Sequence, residues 1–156
     1  MRLVLIIILC AVASPIARAQ SAADRDAVLK TVQAFFDTMT AKDVEGARKI
    51  LAPQGRFHAM RMRDGDIRSF SNEEYFAQLQ SEKRTFRERM WNPEVRVHGL
   101  IATVWTPYDF WIDGKFSHCG IDAFDLIKTK DGWQISGGNY TLEDRCEPSP
   151  LGPLKQ

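Results

Sequence analysis

Residues 100–144 read LIATVWTPYDFWIDGKFSHCGIDAFDLIKTKDGWQISGGNYTLED, and this stretch sets the architecture. Apolar and polar residues alternate through three segments, with Asp113-Gly114 and Asp131-Gly132 between them. Asp-Gly flanked by alternating residues marks a hairpin, because the tight turn needs positive φ and glycine accepts it. Three successive antiparallel strands are therefore expected. Upstream, RFHAMRMRDGDIRSF (56–70) alternates around Asp64-Gly65, and FRERMWNPEVRVHG (86–99) reads as a strand broken at Asn92-Pro93.

Between and before these strands the period changes. Val28, Val32, Phe35, Phe36 and Met39 recur every three or four residues and predict a helix from an Asp24 N-cap to about Thr40. KDVEGARKILAPQG (42–55) predicts a second, short helix stopped by Pro53 and Gly55. Ser71 and Glu74 have capping-box spacing at the start of a third, whose inner face is Tyr75, Phe76 and Leu79. Helices segregated to one face of a meander define an α+β fold. Here that means a strongly curved antiparallel sheet wrapped around N-terminal helices, a cone with an internal pocket. The chain has no repeat, no Gly-rich phosphate loop and no βαβ rhythm.

The chain begins MRLVLIIILCAVASPIARAQ. Arg2, the apolar run Leu3 to Ala13 and Ala17-Arg18-Ala19 have the order of a cleavable export signal, so residues 1–19 are expected to be a leader and the mature protein secreted or periplasmic. The run is too short for a permanent membrane helix, which needs about 20 residues, and Cys10 lies too early for a lipid anchor; no stable membrane anchor is expected. Residues 20–145 then form the domain, and 146–156, with three prolines and a glycine, an extended tail. Loss of Arg2 and Arg18 leaves 19 basic against 20 acidic residues, a balance with no general attraction for nucleic acid. Two cysteines survive export, and in an oxidising compartment Cys119 and Cys146 are expected to pair.

The helix AVLKTVQAFFDTMTAKDVEGARKIL (27–51) and the hairpin GIDAFDLIKTKDGWQIS (120–136) resemble the nuclear-transport-factor-two-like superfamily. The resemblance is closest to its exported SnoaL-like or lumazine-binding-like members. It implies the cone fold of ketosteroid isomerase and scytalone dehydratase. It does not imply one activity, since the fold hosts isomerases, dehydratases, cyclases and non-catalytic binders.

A two-residue turn at Asp113-Gly114 would set Ile112 opposite Lys115. Carried back in strict register, it pairs Trp111 with Phe116, Asp109 with His118, Trp105 with Asp122 and Thr103 with Phe124, all on one face. That face is expected to line the cone. Asp122, His118 and Asp109 would then supply acid–base chemistry or, alternatively, Asp109 and His118 would form a cross-strand salt bridge and Asp122 accept from an indole or backbone N–H. Trp105, Trp111, Phe116, Phe124, Phe36 and His58 would wall a pocket for a small hydrophobic or aromatic molecule, or simply fill the core. Cys119 would point outward, in diagonal reach of Cys146, and a bridge closing that loop is worth about 3.5 kcal/mol. His118 and Cys119, on opposite faces, cannot share a metal ion; neither a metal nor a cofactor is expected. Val104, Tyr108, Phe110, Ile121, Ala123 and Ile127 would form an apolar outer face, expected to be covered in a homodimer. Three readings stay open: an exported binding domain without catalysis, an acid–base enzyme of the isomerase or dehydratase kind, and a structural partner domain whose cone is filled.

Overall fold

A computed structural model describes residues 15–154. Three helices, α1 (Pro15–Ala41), α2 (Val44–Ile50) and α3 (Asn72–Ser81), accompany seven strands. These are β1 (Leu51–Arg61), β2 (Ile67–Ser71), β3 (Phe86–Met90), β4 (Glu94–His98), β5 (Ile101–Ile112), β6 (Lys115–Thr129) and β7 (Gly132–Leu142). They form one sheet in the order β2-β1-β7-β6-β5-β3, with β4 also paired to β5. All pairings are antiparallel except β1 with β7. This is the expected α+β cone. The first fourteen residues of the expected leader lie outside the described residues, and no described helix is long and apolar enough to cross a membrane.

The helical stripe behaves as its spacing requires. Val28, Val32, Phe35, Phe36 and Met39 are all buried, packed with Val104, Phe124, Leu126 and Ile135 of the sheet. Burying one such side chain contributes about 1.5–3 kcal/mol, so this face holds α1 across the cone. The helix begins before Asp24, which is therefore not its cap; its carboxylate instead accepts from Lys128 Nζ of β6 at 2.5 Å. At α3 the capping box forms, with Glu74 N donating to Ser71 Oγ (3.3 Å) and Ser71 N to Glu74 Oε2 (2.6 Å). Pro53 and Gly55 do not end α2 but sit in β1, where the pairing with β7 is bulged between Leu51 and Arg56.

The break at Asn92-Pro93 divides one long edge into β3 and β4, both paired to β5. Asn92 adopts φ 47°, and the gap is bridged by the Thr106 hydroxyl donating to the Trp91 carbonyl at 3.1 Å.

The β5–β6 hairpin carries the decisive irregularity. Its turn is tight as expected, with Ile112 opposite Lys115 and Trp111 opposite Phe116. The next pair, however, is Phe110 with His118, so Ser117 is an extra, unpaired residue. A one-residue bulge moves every later partner to the other face of its strand. Beyond it Asp109 pairs with Cys119, Thr106 with Asp122, Trp105 with Ala123 and Val104 with Phe124. The inner residues of β5 are consequently Val104, Thr106, Tyr108 and Phe110, not Thr103, Trp105, Asp109 and Trp111. The apolar outer face anticipated for Val104, Tyr108 and Phe110 does not exist: Val104 and Tyr108 are each 1% exposed and packed inside.

Two glycines permit close strand contact. A Cβ on Gly120 would lie 2.1 Å from the Thr141 carbonyl oxygen. One on Gly138 would press against the Phe124 and Phe57 rings at 3.1 and 3.2 Å.

Candidate functional site: the cone cavity

The concave side of the sheet and the helices enclose a cavity of about 150 Å³. Its walls are aromatic, with Phe35 from α1, Phe57 from β1, Tyr75 from α3, Phe110 from β5, Phe124 from β6 and Tyr140 from β7. Phe35 stacks on Phe57 at 5.5 Å and 3°, and Phe57 in turn on Phe70 at 5.7 Å. A cavity of roughly this size accepts one aromatic ring.

Polar groups are few and concentrated. Glu88 of β3 and Asp122 of β6 both line the cavity, Asp122 being 3% exposed. Glu88 reaches this position because Phe86, Glu88 and Met90 share the inward side of β3, while Arg87 is exposed. The two carboxyls are buried neighbours, and each acts on the ionisation of the other. Asp122 Oδ2 is buried without a hydrogen-bond partner, and a bond between two carboxyls needs a proton kept on one of them. Burial pushes Glu88 well above the usual carboxylate range, reinforced by the charge and hydrogen bond of Asp122 and by the charge of Asp109. Burial likewise pushes Asp122 up to about 8, opposed by its bond to Glu88. Among the described lining residues there is no lysine or arginine to hold the pair ionised.

The surrounding hydroxyls and ring nitrogen complete the site. Tyr108 donates its hydroxyl to the Thr141 carbonyl at 2.7 Å, and burial raises its pKa. Tyr140 is pushed up to about 12 by burial and then by the Glu88 and Asp122 charges. The Tyr75 hydroxyl is buried without a partner in hydrogen-bond geometry; burial raises its pKa, with the neighbouring Thr38 side chain acting against the shift. His118 stacks on Phe110 at 4.9 Å and stands edge-on to Tyr108 at 5.8 Å. Burial lowers its pKa, so the imidazole is neutral at neutral pH, although the Asp144 charge works against the shift.

The remaining anticipated residues are dispersed. Asp109, 1% exposed, lies on the other face, held by Arg89 through Nε–Oδ1 (2.8 Å) and Nη2–Oδ2 (2.5 Å), with the Trp111 indole donating to it at 2.9 Å. It is not paired with His118. Trp111 and Phe116 flank it on the outside, and Trp105 is 53% exposed on the convex face. All four displacements follow from the Ser117 bulge. Phe36 is buried against Phe124 (6.1 Å) behind the cavity wall. His58 points outward and meets the Ser69 hydroxyl at 2.6 Å, because Phe57 takes the inward position. The bridge Cys119–Cys146 is formed, with Cα atoms 6.1 Å apart. Glu88 was not singled out from the sequence. An acid between Phe86 and Met90 at strand spacing was the available signal. Among the described residues no group of three metal-binding side chains comes together.

The curved sheet, the covering helices and the cavity are those of the nuclear-transport-factor-two-like cone fold. A Cytophaga hutchinsonii protein of that description matches with a TM-score of 0.66 at 15% identity, over 76% of this chain and 98% of its own. A Salmonella enterica superfamily member matches with a TM-score of 0.63 at 12% identity, over 81% and 95%. A Streptomyces avermitilis protein titled "putative dehydratase from the NTF2-like family" gives 0.64 at 16%, over 80% and 99%. No curated protein sequence matches the chain significantly. The chain belongs to the family described as "Putative lumazine-binding", whose profile matches residues 23–141.

Proposed function

We propose that the protein is an exported small-molecule-binding domain whose cone cavity takes a flat aromatic or heteroaromatic molecule. The observation that carries this reading is the buried Glu88–Asp122 carboxyl pair set among aromatic walls. A protonated carboxyl donates a hydrogen bond, so the pair suits a ligand carbonyl or ring nitrogen while the rings cover its faces. The family's description as lumazine-binding agrees with such a ligand. Export is supported by the leader-like N-terminus and by the disulfide. Native mass spectrometry of protein taken from its own cells is the test. A co-purifying small molecule that is lost in Asp122→Ala is expected; a bare polypeptide under gentle conditions would overturn the reading.

A second reading, proton transfer on the bound molecule, is favoured by one feature. An acid pushed up to about 8 is balanced between donor and acceptor near neutral pH. His118 shares the cavity, whereas Asp109, tied to Arg89, takes no part. Exchange of a ligand C–H for deuterium, fast with wild type and abolished in Asp122→Asn, separates this reading from simple binding.

We also propose a homodimer through the convex sheet face, now composed of Ile101, Trp105, Ile121, Ala123 and Ile127. Ile101 and Trp105 are 60% and 53% exposed there. Sedimentation of Trp105→Asp tests it: a dimeric wild type and monomeric variant are expected, and a monomeric wild type refutes it.

A further inference from the structure

We propose a second binding site, separate from the cone, for a small organic cation with an alkylammonium head. It is the outer groove of about 410 Å³ between the C-terminal segment and the turn end of β5–β6. Trp91, Trp111 and Phe116 line it, together with Asp144 and Glu147. Phe116 is 46% exposed and stands edge-on to Trp111 at 5.7 Å, leaving aromatic surface open to the groove.

Three features fix the groove's shape and sign. The segment forming its far wall is anchored twice, by the Cys119–Cys146 bridge and by Arg89 Nη2 donating to the Gly152 carbonyl at 2.7 Å. The charge of Asp109 is already matched by Arg89, so the negative charge offered to the groove is that of Glu147 and of Asp144, the latter in a long, exposed pair with Arg63. Asp144 meets only Arg63 at 3.5 Å, with 60% of its side chain exposed, and Glu147 has no ion-pair partner among the described residues. No lysine, arginine or histidine appears among the described lining residues.

Aromatic faces with a carboxylate rim attract cations and repel anions, and a quaternary ammonium, weakly hydrated, gives up little water on entering. The same aromatic wall already engages one cation, since the Arg89 guanidinium lies 5.4 Å from the Trp111 ring centre.

The probe is tetramethylammonium chloride, titrated into the full-length protein and followed by the four indole N–H signals in NMR. Sodium chloride at equal ionic strength and tert-butanol, a neutral molecule of similar shape, are the controls. Saturable shifts of Trp91 and Trp111, with Trp105 and Trp133 unmoved, are expected for tetramethylammonium alone. Phe116→Ala and Glu147→Gln should each weaken the apparent affinity at least threefold. Equal shifts with tert-butanol, non-saturating shifts, or shifts unchanged in both variants would overturn the proposal. No tryptophan is among the residues lining the cone cavity, so the failure of this proposal and that of the cone reading are separable.

Discussion

Glu88 on β3 and Asp122 on β6 are buried together inside the cone, where a hydrogen bond between them requires that one keep a proton. Both acids are held above their ordinary range by burial, with no basic side chain among the described cavity residues to offset it.

A pH dependence follows from that pair. Asp122 ionises near its ordinary 3.8 when unfolded but at about 8 when folded, so the folded state holds the extra proton between those values. Its contribution is fully present below about pH 4 and is lost as pH rises toward 8; Glu88, also raised, extends the decline. Denaturant unfolding across this window should show falling stability with rising pH. Asp122→Asn should flatten the slope and gain about 1–3 kcal/mol at pH 8. A variant with an unchanged slope would contradict the assignment.

The Arg89–Asp109 pair is a different case, a buried carboxylate in a two-point ion pair with a guanidinium. Arg89→Met should cost about 3–5 kcal/mol because Asp109 is left buried and uncompensated. Adding Asp109→Asn should recover much of the loss. Equilibrium unfolding of the two variants measures both, and a loss below about 1 kcal/mol for Arg89→Met would show the pair is dispensable.

Much of this was legible in the sequence, and the limits are physical. The helical stripe, the capping box, the tight turn at Asp113-Gly114 and the outward Cys119 follow from local spacing. The inward Asp122 and Phe124 follow from alternation within β6. Ser117 does not announce itself, because an extra residue in a strand breaks no local pattern while it inverts the partner strand. Apolar residues on both faces of β5, Val104 and Phe110 against Trp105 and Trp111, left its alternation ambiguous. His58 was misjudged because Met60 and Met62 look like a core face. The Phe57 ring, stacked between Phe35 and Phe70, decides that register through contacts with distant segments.

The disulfide should be measurable directly. Unreduced protein should take up no alkylating reagent at Cys119 or Cys146, and reduction should release two thiols. The double serine variant should lose about 2–4 kcal/mol and expose residues 147–154 to protease. Full-length protein equally resistant without the bridge would show that the Arg89–Gly152 contact alone holds the segment.

Gly120→Ala tests the strand approach. Its methyl group would fall 2.1 Å from the Thr141 carbonyl oxygen, which also accepts the Tyr108 hydroxyl. A loss of about 1–3 kcal/mol is expected, seen in thermal unfolding; a neutral substitution would mean β6 and β7 are not so closely apposed.

The most direct measurement is carbon-13 NMR of the side-chain carboxyls through a pH titration. Asp122 should remain protonated through neutrality and titrate near pH 8, and its midpoint should move in Glu88→Gln. Titration of both acids near their ordinary values, around 4, would contradict the account.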